Sequence, residues 1–171
     1  MHPTDAALVE QCLKGQKDVF AEIVNRYQHR VYYVSLIRMR DRYEADDLAQ
    51  ETFIQAYRKL ATYDSQRSFR NWLFCICVNL GKNRLRSRAR RREVHNPHPE
   101  LQEITSQDQS RIDLMDALHR MSEKRRIPLV LKHVEGFSYD EIAAILKIGT
   151  SAAKMRVKRG RDELVRNLSE Q

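Results

Sequence analysis

The sequence predicts an all-α protein built as two small helical domains joined by a linker, and three observations predict it. Only five of the 171 residues are Gly, and the alternating β-branched pattern of strands is nearly absent. Apolar residues instead recur at three- and four-residue steps in several separate stretches. Between residues 93 and 108 the composition changes abruptly: two Pro, four acidic residues and no Lys or Arg. That segment reads as the linker, with one domain over 1–92 and the other over 109–171.

Taken in order, Asp5 to Lys14 reads as a short helix closed by Gly15, and Asp18 is placed to cap the next. In that second helix Phe20, Ile23, Val24, Tyr27, Val31 and Val34 keep a helical step and form core. Asp41 and Glu44 have the spacing of a capping box at the start of a third helix. Its stripe of Ala45, Leu48, Ala49, Thr52, Phe53, Ala56, Tyr57 and Leu60 is predicted to be buried. The opposite face carries Asp46, Asp47, Gln50, Glu51 and the apolar Ile54. Carboxylates around an exposed Ile suit a docking surface for another protein, although a plain solvated face is the commoner meaning of such a pattern.

Residues Tyr63 to Ser68 read as a loop leading into a long helix over 69–92. Trp72, Ile76, Asn79, Leu80, Asn83 and Arg84 share one face of it, and seven of the eleven residues from Lys82 to Arg92 are Lys or Arg. Rings that stack on bases, amides that read base edges and cations for phosphates then lie on one rod.

Beyond the linker, Ile112, Met115 and Leu118 mark one helix. Ser122 is placed to cap another that buries Ile127, Val130, Leu131 and Val134, with an irregularity expected at Pro128 and an end at Gly136. Ser138 and Glu141 form a capping box, with Phe137 and Ile142 as its hydrophobic staple and Ala143, Ile145 and Leu146 facing inward. After a break at 147–150, a final helix turns Ala153, Val157, Leu164 and Leu168 inward and carries Lys154, Arg156, Lys158, Arg159 and Arg161 elsewhere. Helix, short turn and basic helix make a helix-turn-helix sized for a major groove.

The net charge of +8 favours a polyanionic partner. The longest uncharged stretch, Asn71 to Gly81, is far short of the ~20 residues that span a bilayer, so no membrane insertion is expected. No apolar signal segment opens the chain, which points to the cytoplasm. Three Cys, at 12, 75 and 77, make no disulfide framework, and Cys75 and Cys77 diverge on a helix. His95 and His98 flank a Pro with no Cys nearby, so no metal and no cofactor are expected. Scattered His and surface acids supply no constellation for a nuclease or any other enzyme.

With both halves in view, the chain resembles the extracytoplasmic-function (group four) sigma factors of bacterial RNA polymerase. The resemblance rests on ADDLAQETF over 45–53, SFRNWL over 68–73, Val78-Asn79 with Lys82-Asn83, and VEGFSYDEIA over 134–143. It implies that Asp46, Asp47, Gln50, Glu51 and Ile54 dock on the clamp helices of the polymerase largest subunit. It implies minus-ten recognition and opening by Tyr63, Asp64, Ser65, Ser68, Phe69, Arg70, Asn79, Lys82, Asn83, Arg84 and Arg86. Asn79 would line a pocket for a flipped base, with Trp72 supporting the fold beneath. It places Thr150, Ser151, Lys154, Met155, Arg156, Lys158 and Arg159 in the major groove of the minus-thirty-five element, and it implies an anti-sigma factor as a further partner. Two positions depart from the family pattern: Lys147 where a turn Gly is usual, and Ala153 where a β-branched residue is usual. The competing reading, a stand-alone helix-turn-helix regulator, leaves the acidic face and the aromatic stretch unexplained.

Overall fold

A computed structural model describes residues 3–92 and 109–169 of the chain. Eight α-helices and two single 3₁₀ turns make up the regular structure of these residues: α1 (Asp5–Leu13), α2 (Phe20–Met39), α3 (Arg42–Arg58), α4 (Phe69–Arg92), α5 (Gln109–Arg120), α6 (Glu123–His133), α7 (Tyr139–Leu146) and α8 (Thr150–Ser169).

In the first unit α2 and α3 form an antiparallel hairpin. Arg40 closes α2 in the left-handed conformation (φ 61°), with its N–H on the Leu36 carbonyl. Asp41 then caps α3, its side chain accepting from the Glu44 N–H at 2.8 Å. Glu44 does not complete the box. Its carboxylate pairs instead with Arg88 of α4 at 3.1 Å, so a local cap is given up for a tertiary tie. Helix α4 packs on both α2 and α3 through Phe69, Leu73, Phe74, Cys77, Val78 and Gly81, all buried. α1 is fixed to α2 by Asp5, which accepts from Arg26 at 2.5 Å and from the Tyr27 hydroxyl at 2.6 Å.

In the second unit α6 contributes Ile127, Leu129, Val130 and Leu131 to the core, and α8 packs along it. The capping box of Ser138 and Glu141 is complete, and its staple residues Phe137 and Ile142 are both fully buried. Arg126, buried, closes the C-terminal end of α5 by donating to the carbonyls of Leu118, His119 and Met121 at 3.3–3.4 Å. Burial, reinforced by Arg40, pushes its guanidinium down to about 10.

Several sequence expectations are corrected. Asp18 lies inside a 3₁₀ turn, and no side chain caps α2. Tyr57 is 40% exposed, held only along one edge by Phe20 at 5.1 Å. Val134 is 51% exposed, because α6 ends at His133 and Val134 already belongs to the turn. Pro128 does not interrupt α6: its burial among apolar neighbours offsets the one hydrogen bond it removes. Leu168 is 39% exposed. The side chain of Ile112 lies outside the described residues.

The two units share one core. Helix α7 packs on α4 and α6 on α2, and a single cluster of buried residues runs from Leu8 through Phe74 and Phe137 to Val157.

Candidate nucleic-acid and partner interfaces

On α3, Asp46, Asp47 and Gln50 are exposed, Ile54 is 45% exposed, and Glu51 is half-buried where it accepts from Gln55 at 2.7 Å. The helix thus separates its apolar stripe from a carboxylate-rich face with one projecting aliphatic side chain. Beside that face lies a groove of about 380 Å³ between α2 and α3. Val24, Gln28, His29 and Tyr32 line it from α2, and Asp46, Ala49, Gln50 and Phe53 from α3. Sequence reasoning missed the α2 wall, because Val24 reads as core and Gln28 and His29 as ordinary surface.

The loop before α4 is held by its own polar groups. The Tyr63 hydroxyl donates to the Arg67 carbonyl at 2.6 Å, and Asp64 accepts from the Gln66 N–H at 3.0 Å. Ser68 accepts from the Asn71 N–H at 3.2 Å and so caps the helix, while Ser65 is exposed. Tyr63, Phe69 and Trp72 form a mutual aromatic cluster with centroids 5.2–5.6 Å apart. Phe69 is buried, whereas Tyr63 and Trp72 each keep an exposed part, so Trp72 braces the loop.

Further along α4, Ile76, Asn79 and Leu80 are half-buried on one side of the rod, with the exposed Asn83 beyond them. Of the expected phosphate cations, Lys82 and Arg86 point to solvent. Arg84 instead donates to the Asp47 carbonyl of α3 at 3.2 Å. Arg70 is engaged too: its guanidinium lies 3.8 Å from the centre of the Phe137 ring, and Nη2 donates to the Glu135 carbonyl at 2.9 Å.

On α8 the arrangement is simpler. Thr150 opens the helix with its hydroxyl on Asp140 at 2.8 Å. Ser151, Lys154, Met155, Lys158 and Arg159 are exposed, and Arg156 is half-buried. The inward side is built from small residues, Ala153, Val157 and Gly160. A Cβ on Gly160 would lie 2.9 Å from the Arg125 carbonyl, so this Gly sets how closely α8 approaches α6. Arg125 and Arg166, which sequence reasoning missed, join Arg159 around an open cavity of about 530 Å³ that Asp162 and Val165 also line. Lys147, in the turn before α8, has φ 54° and ψ 52°, the left-handed conformation that a Gly adopts without strain.

Among the described residues no three His, Cys, Asp or Glu side chains are placed to hold a metal ion, and no helix is long and apolar enough to cross a membrane. His95 and His98 lie outside the described residues. Burial pushes the thiols of Cys75 and Cys77 up; Cys77 faces Ser35 of α2, while Cys75 lies near Lys147.

Comparison with known proteins bears on these surfaces. The model of Sigma-70 region 2 matches residues 23–91, and that of Sigma-70 region 4 matches residues 111–164. The chain is 32% identical to the ECF RNA polymerase sigma-E factor of Haemophilus influenzae, over 96% of this chain and 94% of that protein. It belongs to the ECF sigma factors of RNA polymerase. In this sigma factor region 2 runs from α2 through nearly all of α4, and region 4 takes in α5 to α8. Two solved structures share the fold. CnrH in complex with the cytosolic domain of CnrY matches at 27% identity and a TM-score of 0.75, covering 98% of each chain. The sigma factor RpoE of Bartonella quintana in complex with the anti-sigma factor NepR matches at 25% identity and a TM-score of 0.76, covering 88% of this chain and 96% of that one. The function is that of the family, directing RNA polymerase to promoters for transcription initiation, and the family is a non-enzymatic one.

Proposed function

We propose that the α3 face formed by Asp46, Asp47, Gln50, Glu51 and Ile54 is where this sigma factor docks on the clamp helices of the polymerase largest subunit. Residues 1–92 form the unit that binds core and the minus-ten element, 93–108 the connection, and 109–171 the unit that binds the minus-thirty-five element. The loop from Tyr63 to Ser68 and helix α4, with Arg70, Asn79, Lys82, Asn83, Arg84 and Arg86, hold the opened minus-ten strand, and Phe69 and Trp72 support them from beneath. Thr150, Ser151, Lys154, Met155, Arg156, Lys158 and Arg159 enter the major groove of the minus-thirty-five element. Opening is binding work: unstacking costs a few kcal/mol, offset by holding the extruded base and strand. No catalytic residue takes part, and the protein acts in the cytoplasm.

The observation that carries this reading is the segregation of charge. In a chain of net charge +8, α3 gathers exposed carboxylates around Ile54 on one face, and Arg84 of α4 meets that face at the Asp47 carbonyl and not at its carboxylate. A DNA-binding module alone has no use for it. An anti-sigma factor is a further partner, a reading supported by the NepR complex of the Bartonella quintana relative.

Asp47→Arg combined with Glu51→Arg tests the docking assignment. Both positions lie off the buried stripe, so the fold should lose only about 0.5 kcal/mol per site. Co-purification with core polymerase should be abolished. A folded double variant that still binds core would remove α3 from the interface.

A further inference from the structure

We propose that the arginine-lined cavity on the second half of α8 binds a nucleoside polyphosphate, and that this ligand competes with the minus-thirty-five element for Arg159. The competition rests on the promoter reading above; the binding site does not.

The cavity, about 530 Å³, has Arg159, Asp162, Val165 and Arg166 of α8 on one side and Arg125 of α6 on the other. Residues 159, 162 and 166 follow at helical steps of three and four, so one face of α8 presents two guanidiniums with a carboxylate between them. Arg125 reaches the same space because α6 and α8 meet closely at Gly160, where a Cβ would lie 2.9 Å from the Arg125 carbonyl. Its Nε donates to Ser122 Oγ at 3.2 Å and pairs with Glu163 at 3.0 Å, which fixes the guanidinium and leaves its two terminal nitrogens for a ligand. Among the described residues neither Arg159 nor Arg166 has an ion partner, and Asp162 is held only loosely, by Arg161 at 3.9 Å.

Three guanidiniums around one space suit phosphate oxygens, which such forks bind bidentately. The volume lies within the roughly 300–1,000 Å³ of small-molecule sites, more than one inorganic phosphate fills. Asp162 decides between the anions that could enter. Its exposed carboxylate repels a bare polyphosphate, a duplex backbone or an acidic protein segment. A nucleotide brings donors as well as charge. Its ribose hydroxyls or exocyclic amines can meet Asp162 while the base covers Val165, which is 57% exposed.

The length of α8 sets this site apart from the DNA groove. The helix has 20 residues, about 30 Å, and the residues proposed to read the minus-thirty-five element all lie in its first half. A major groove is about 12 Å wide, so the half that carries Asp162, Val165 and Arg166 stands clear of it. Arg159 sits at the boundary and belongs to both sets. A polyphosphate held there takes that side chain from the DNA and sets negative charge beside the backbone.

Titration calorimetry of the full-length protein with ATP, GTP and inorganic tripolyphosphate, at constant ionic strength without magnesium, tests the site. ATP or GTP should bind with a Kd below about 1 mM. Arg166→Glu should weaken this at least about tenfold. Lys59→Glu makes the same charge change at an exposed position of the first unit and should stay within about twofold of wild type. Asp162→Ala should weaken the nucleotides about threefold and strengthen tripolyphosphate. All three substituted side chains are exposed, so the fold should survive each change. Wild type that binds neither nucleotide overturns the site, and so does an equal loss in Lys59→Glu, which would reduce it to net charge. If Asp162→Ala strengthens all three ligands alike, the nucleotide assignment falls. For the competition, saturating ATP should weaken binding to a labelled minus-thirty-five duplex at least about fivefold in wild type, and within about twofold in Arg166→Glu. Unchanged duplex affinity in the saturated wild type overturns the competition. If the wild type binds no such duplex even without ATP, the promoter reading fails instead, and the titrations stand.

Discussion

Helices α4 and α8 both carry rows of cations, yet they are built in opposite ways. α4 is a core helix first. Phe69, Leu73, Phe74, Cys77, Val78 and Gly81 are buried against α2, α3 and α7, and Arg70, Arg84 and Arg88 already have partners on neighbouring elements. α8 presses a narrow side of Ala153, Val157 and Gly160 into the second unit and leaves Lys154, Lys158 and Arg159 in solvent. On the proposed assignment, reading DNA and holding the fold are therefore entangled in α4 and nearly separate in α8. Substitutions on α4 should mix stability with binding, and those on the outer face of α8 should not.

The largest effect that would sharpen this contrast concerns acid. His119, 6% exposed in the second unit, has a buried Nε2 without a partner. Burial, with Arg126 and Arg40 nearby, holds its imidazole down at about 4. A pKa depressed on folding means stability that is full above the unfolded value near 6.5 and falls as pH drops toward 4. The loss is at most about 3 kcal/mol. The first unit has an exposed His29 in place of such a group. Thermal melts from pH 7 to 4 should show the second unit failing first, and His119→Gln should flatten its pH dependence. Parallel loss of both units, unchanged by His119→Gln, would break the comparison.

Next in size is the residue of α4 proposed to read a base, Asn79. Asn79→Ala should cost about 1 to 3 kcal/mol in promoter opening and relax specificity at one minus-ten position. Arg84→Ala should weaken all promoters alike and lower the salt slope by about one unit, but it also removes the tie to the Asp47 carbonyl and so should reduce stability measurably. Opening rates across single-base variants and salt concentrations, alongside melts, separate these. Asn79→Ala that weakens every base variant equally would make Asn79 a structural residue.

What the sequence made legible follows from what is local. The capping residues Asp41 and Ser138, the staple of Phe137 and Ile142 and the buried stripe of α3 depend on neighbours within a turn or two, and periodicity exposes them. Tyr57 and Val134 fit that periodicity, but their helices end or lose their cover just there. Gly160 passes unremarked in the sequence, because nothing local tells of the Arg125 carbonyl it must clear. The ties between the two units were the least legible of all. Nothing in the pattern singles out Arg30 or Arg38, and Arg70 is expected at the minus-ten element; only the meeting of α2 and α4 with α6 and the turn after it gives them these partners.

Gly160 supplies a smaller test from the side of α8. Alanine gains roughly 1 kcal/mol in helix propensity at such a position. Here its Cβ would press on backbone at 2.9 Å, and a main-chain carbonyl in α6 moves only with its helix. Overpacking of this kind costs about 1 to 3 kcal/mol, so Gly160→Ala should leave the second unit destabilised by about 1 kcal/mol. Chemical denaturation gives the sign. A stabilised variant would show that α8 floats on α6 rather than being seated against it.

The smallest effect is expected at Lys147, where α7 turns into α8. Its φ of 54° and ψ of 52° place a side-chain-bearing residue in a region that crowds the Cβ against the backbone, a strain of roughly 1 kcal/mol that glycine avoids. The side chain is exposed, so little packing is lost on removing it. The greater freedom of glycine in the unfolded chain opposes the gain and takes back a few tenths of a kcal/mol. Lys147→Gly should therefore raise stability by slightly less than about 1 kcal/mol, a rise in Tm of about 2 °C for a chain of this size. Because the turn only joins the two helices, the contacts proposed for Lys154 and Arg159 at the minus-thirty-five element should be unaffected, and binding to that element should be unchanged within twofold. A fall in Tm would mean that the Lys147 side chain braces the turn. α8 would then depend on its approach as much as α4 depends on its neighbours, and the contrast between the two helices would narrow at that end of the molecule.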